Sequence, residues 1–139
     1  MYSKVVFAVF ACSFVVLPLA AFADVASVKE TRTGLAGEIS IATDHAGYAL
    51  ASQNLDGVRM HLHHVLNCLE GPKGKNFDRI VENPCSTAGG GAIPDATDVA
   101  IKTKLQSIEM AALSGLDASD EAVARTAARD VQAALRALK

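Results

Sequence analysis

The order of apolar and polar positions divides the chain into one continuous apolar run followed by four stripes of helical period. The run extends from Val5 to Ala20. Beyond it, apolar residues recur at three- and four-residue steps, which places them on one face of an α-helix. Leu35, Ile39, Ala42, Ala46 and Ala49 predict a first helix over about 35–52. Leu55, Val58, Leu62, Val65 and Leu69, with Leu66 beside them, predict a second over about 55–70, ended by Gly71-Pro72. Ile101, Leu105, Ile108 and Ala112 predict a third over about 96–114, capped by Asp95 or Thr97 and stopped at Ser114-Gly115. Ala124, Ala128, Val131, Leu135 and Leu138 predict a fourth over about 119–138, with Ser119 as its cap. Asp120 and Glu121 fall in its first turn and Arg136 near its end, as the helix dipole favours. No strand-like alternation competes.

Between the first two helices lies "SQNLDGV", Ser52 to Val58. Asn54 or Asp56 can cap a new helix here, and Gly57 weakens continuity. A helical hairpin is the preferred reading, and one long helix through 35–70 is the alternative. The connection from 71 to 94 is long and holds Gly71, Gly74, Gly89, Gly90, Gly91 and three of the four prolines. Loops of this length in a small domain are functional or disordered. Phe77, Ile80 and Val81 are expected to supply apolar contacts, and the tri-glycine run reads as a flexible hinge. The fold class is therefore all-α: an antiparallel four-helix bundle with one long loop between helices two and three.

The first apolar run changes the picture of where this bundle resides. Lys4 precedes it, and Ala21-Phe22-Ala23 places small residues where a signal peptidase reads them. Residues 1–23 are expected to be a signal peptide cleaved after Ala23, leaving a periplasmic or secreted domain over 24–139 with no membrane attachment. A retained membrane anchor is the rival reading, for which the run is short. Asp24 to Thr33 reads as a loose arm. The whole chain carries a formal charge of −2, and of its 13 basic residues only Lys4 lies in the leader. The mature domain is thus more acidic still. No basic face emerges, which counts against nucleic acid as a partner.

Export gives the cysteines a meaning. Cleavage leaves Cys68 and Cys85, and an even pair in an oxidising compartment reads as a disulfide. It would pin the long loop to the end of the second helix and stabilise the fold by about 3 kcal/mol. A pair of thiolate metal ligands is the rival reading.

Three of the four histidines fall in "MHLHHVLNCLEG", Met60 to Gly71. At about 100° per residue, His61 and His64 share one border of the buried stripe. His63 falls on the other border, with Glu70 and Asp56 as candidate partners. If the chain reverses near Gln53-Asn54, His45 precedes the turn by about as much as His61 follows it. His45, His61 and His64 would then converge as ligands for Cu, Zn or Ni, with Asp44, Met60 or water completing the shell. Two other readings stay open: histidines that merely hydrogen-bond at a stripe border, and axial ligation of a b-type haem with Met60 or Met110. The absence of Cys-x-x-Cys-His excludes covalent c-type haem.

The segment "TDHAGYALASQNLDGVRMHLHHVL" resembles the small periplasmic metal-binding proteins built as histidine-bearing helical bundles. Those carry HA-x-x-A units on helices, and "HAGYA", His45 to Ala49, matches one unit. The resemblance implies export and binding of Cu, Ni or Zn, carried by His45, His61 and His64.

Catalytic signatures are missing: there is no serine or cysteine nucleophile motif and no His-Glu-x-x-His. Glu38, Asp44 and Glu109 read as surface residues. The expected function is non-catalytic binding of a transition metal ion, in contact with a periplasmic or envelope protein. The alternatives are a module that docks a partner through the 71–94 loop, where Lys73, Lys75 and Arg79 would meet an acidic surface, or an electron-transfer bundle with b-haem.

Overall fold

The computed structural model describes residues 32–139. The expected leader, its cleavage after Ala23 and the arm as far as residue 31 lie outside the described residues. The described chain is all-helical: α1 Gly34–Ala51, α2 Leu55–Glu70, α3 Ala92–Asp95, α4 Val99–Asp117 and α5 Glu121–Arg136. Among the described residues there is no strand, and no helix is long and apolar enough to cross a membrane. Helix α1 packs on α2 and α5, and α4 packs on α5 and α2.

The chain breaks between α1 and α2, which overturns the long-helix alternative. Ser52 and Asn54 are both extended, and the Asn54 Oδ1 accepts from the Gly57 N–H at 2.9 Å. A side-chain oxygen that satisfies an otherwise orphaned amide is the usual reason a helix starts where it does. The apolar stripes read from the sequence form the core. Ala42, Ala46 and Ala49 of α1 and Leu62, Val65 and Leu69 of α2 are all fully buried within one cluster with Leu105, Ala128, Val131 and Leu135.

Helix α4 departs from expectation at both ends. It starts at Val99, where the Asp98 carboxylate accepts from the Ile101 N–H, so neither Asp95 nor Thr97 is the cap. It then runs through Ser114-Gly115 to Asp117. Gly115 is buried, and a Cβ there would lie 2.7 Å from Leu62 Cδ1 and 2.9 Å from Ala127 Cβ. The glycine is a contact point between helices and does not stop one. Its intrinsic helix penalty of about 1 kcal/mol is offset by the close approach it permits. Helix α5 is capped by Asp120, which accepts from Ala122 and Val123, in place of Ser119.

The 71–94 segment is tied down at several points. Cys68 and Cys85 are bonded, with their Cα atoms 5.2 Å apart. Immediately before Cys68 in α2, Asn67 is fully buried, and its side chain acts as a peg for the loop. Its amide nitrogen lies 3.0–3.3 Å from the carbonyls of Asp78, Val81 and Glu82, and its oxygen accepts from the Asp78 N–H. Of the loop's expected apolar contacts, Phe77 and Val81 are half-buried, whereas Ile80 is 97% exposed.

The tri-glycine run is a crossing point and not a hinge. Gly71 ends α2 at φ +66°, and Gly91 has φ +117°. A Cβ on Gly71 would lie 1.7 Å from the Gly90 carbonyl oxygen, and one on Gly91 would lie 2.5 Å from the Glu70 carbonyl carbon. Two stretches of bare backbone therefore pass in contact. Glu38, expected at the surface, is fully buried beneath this crossing, and its Oε1 accepts from the Gly91 N–H at 2.6 Å. Burial raises the Glu38 carboxyl pKa, the Gly91 N–H opposes that rise, and the neighbouring Asp95 carboxyl adds to it. Glu109 is half-buried against Glu70 and Asn76, also contrary to its surface reading.

Two stability outcomes follow from these contacts. Gly34 also has a positive φ, but a Cβ there would meet nothing. Gly34→Ala should therefore cost only backbone strain, about 1 kcal/mol. Gly71→Ala adds a clash with backbone and should cost about 2 kcal/mol or more. Urea denaturation of the two variants side by side measures the difference, and equal costs would refute the crossing. Replacing both Cys68 and Cys85 by alanine should lower stability by about 3 kcal/mol in the same assay.

Candidate metal centre

His45 projects from α1, while His61 and His64, three positions apart, share a face of α2. The Ser52–Asn54 break sets the two helices side by side with these faces in register. The three Nδ1 atoms then form a nearly equilateral triangle: His45 to His61 3.3 Å, His45 to His64 3.1 Å, His61 to His64 3.3 Å. Among the described residues this is the one group of three or more histidine, cysteine or acidic side chains gathered closely enough to share an ion. His64 is buried, and His45 and His61 are half-buried.

The remaining expectations near the site resolve separately. His63 stands apart from the triangle, with its Nδ1 3.8 Å from Asp78 Oδ2. Its charged neighbour is thus on the loop, and neither Glu70 nor Asp56 fills that place. Asp44, expected as a candidate fourth ligand, accepts a hydrogen bond from Arg32. Met60 and Met110 are exposed, at 45% and 71%. Tyr48, which the sequence reading passed over, stands edge-on to His45 with ring centroids 5.3 Å apart and lies 5.5 Å from His61. It sits three positions after His45 on α1, so helical spacing alone would have placed it beside the site.

The local environment favours the neutral ring. Burial, then the neighbouring His64 and His61, push His45 down to about 4, against an opposing pull from Asp44. Burial lowers the His61 pKa as well. His64 is lowered by burial first and His61 next, with Glu82 acting the other way. All three rings are therefore neutral near pH 7 and carry a nitrogen lone pair, the form that binds metals. The His45 and His64 rings meet at 80° and the His61 and His64 rings at 66°, so the rings converge edge-first and do not stack.

Three ring nitrogens facing one point are poorly satisfied by one another. A proton placed on one serves a single neighbour, and at least one lone pair then faces another. A cation at the centre meets all three. For a tetrahedral ion with metal–nitrogen bonds of about 2.05 Å, the ligand–ligand edge is about 3.3 Å. The observed 3.1–3.3 Å edges match one face of that tetrahedron. The all-imidazole donor set suits Cu, Zn and Ni.

The histidine environment carries a pH dependence whose sign is fixed by linkage. The unfolded chain, with histidine at its ordinary 6.5, takes up a proton that folded His45 resists until about 4. The stability contributed by His45 is complete above 6.5 and is lost as pH falls towards about 4. The metal-free protein should therefore lose stability over that window relative to a His45→Gln variant, read from urea midpoints. Glu38 acts with the opposite sign because its pKa is raised, and the comparison between the two proteins cancels it. Parallel pH profiles for the two would refute the assignment.

Comparison with known proteins adds no precedent: no protein-family model, no curated protein and no solved structure matches this chain, so its functional reading rests on its own geometry.

Proposed function

We propose that this protein is an exported, antiparallel four-helix bundle that binds one transition metal ion, Cu, Ni or Zn, through His45, His61 and His64. It handles the ion in the periplasm without catalysis, receiving it from or passing it to a periplasmic or envelope protein. The observation that carries this reading is the triangle of Nδ1 atoms, whose 3.1–3.3 Å edges suit one face of a coordination tetrahedron. The apolar run before Ala21-Phe22-Ala23 and the Cys68–Cys85 bridge support export. The same nitrogen triangle argues for a single ion over haem, because nitrogens this close leave no room for a porphyrin between them.

One observation favours a second reading. Ile80 is almost wholly exposed on a tethered loop that also carries Lys73, Lys75 and Arg79. A partner protein with an acidic rim and an apolar pocket would fit that segment.

Calorimetric titration of the metal-free protein with Zn(II), Ni(II) and Cu(II) tests the first reading. One ion per chain is expected. His61→Ala should weaken binding by about 100-fold or more, since ligand loss exceeds the 10–100-fold typical of changes around a ligand. His63→Ala should bind as the parent does. Equal binding by the His45, His61, His64 triple alanine variant would sink the reading.

A further inference from the structure

Resting on the metal-binding reading above, we propose that the ion held by His45, His61 and His64 keeps its fourth coordination position for a small anion taken from solvent. The site is then one for a metal and an anion together, and the anion is chosen by size and charge.

Geometry supplies the first argument. Three nitrogens on one face of a tetrahedron leave the opposite vertex to a fourth donor. Among the described residues no fourth histidine, cysteine or carboxylate joins the group. The nearest acidic neighbour in sequence, Asp44, is held by Arg32. The nearest cysteine, Cys68, is bonded to Cys85 and offers no thiolate. Three protein ligands with one position left over is the arrangement of sites that hold an exchangeable fourth ligand, as distinct from closed structural ones.

Charge supplies the second. Three neutral imidazoles bring no negative charge, so a divalent ion keeps all of its own. The site is half-buried, and charge without a partner is costly there. An anionic fourth ligand removes most of that cost, which water does only by giving up a proton. Access and size supply the third. His45 and His61 are half-buried while His64 is closed off, so solvent reaches the site from the side of His45 and His61. Tyr48 borders that side, 5.3 Å and 5.5 Å from those two rings, and is itself 53% exposed. The Tyr48 ring beside the two more open histidines takes up room there, which favours small linear monoanions over aryl carboxylates.

Cobalt(II) makes the site visible. The full protein loaded with one Co(II) per chain is titrated with sodium azide and, separately, with sodium benzoate. The expected result is a saturable change in the cobalt visible bands at one azide per cobalt, with benzoate giving a much smaller change. A spectrum that azide leaves untouched, with cobalt still bound, overturns the proposal and leaves the metal site standing. So does a phenolate-to-metal absorption in the Cu(II) form that vanishes in Tyr48→Phe, because the tyrosine oxygen would then hold the fourth position. Failure of cobalt, zinc, nickel and copper to bind at all removes the metal reading and this proposal with it. The two failures are thus told apart by bound metal content.

Discussion

The hydrogen bond from the Gly57 N–H to Asn54 Oδ1 fixes where α2 begins, and the rest of the site depends on that starting point. Each residue of an α-helix turns the chain by about 100° and advances it by about 1.5 Å. Starting α2 one residue earlier or later would rotate His61 and His64 away from α1 and turn Leu62 and Leu69 out of the core. The apolar stripe and the histidine pair are therefore locked to one another. Packing demands one rotation of α2, and that rotation presents both rings to His45. The site needs no loop of its own and takes its rigidity from the hydrophobic seam of α1 and α2.

Helix α2 also anchors the irregular half of the molecule. Within one turn it carries Asn67, Cys68 and Glu70, and each holds a different part of the loop. Asn67 gathers three loop carbonyls, Cys68 bonds Cys85, and Glu70 accepts from the backbone and side chain of Asn76. The end of the helix then meets the Gly90–Gly91 backbone directly. A long connection with little apolar content is thereby ordered by polar contacts and a covalent bond, where a loop of this composition has too few apolar side chains to order itself.

What the sequence made legible was whatever depends on period or local chemistry. The α1 and α2 stripes, the Asn54 cap, the cysteine pair and the shared face of His61 and His64 all follow from spacing. The convergence of His45 followed from chain reversal and the helical rise. What escaped depends on contacts between segments distant in the chain. Glu38 is buried because a glycine run 53 positions away lends it a backbone N–H. Gly115 looked like a helix stop because nothing local reveals Leu62 and Ala127 pressing on it. Four-residue α3 is too short to show a period. Asn67 has an ordinary place in a helical pattern, and only the folded loop gives it a role.

The three imidazoles come from residues no more than 19 positions apart, all within one pair of helices adjacent in the chain. Contacts over so short a separation close small loops, at low entropic cost and high speed. The α1–α2 pair can therefore assemble its nitrogen triangle before the distant α4 and α5 dock. An ion arriving during that interval meets a complete set of donors on an unfinished protein. It would act as a nucleus for the helical hairpin, and the later elements would close around a centre already filled.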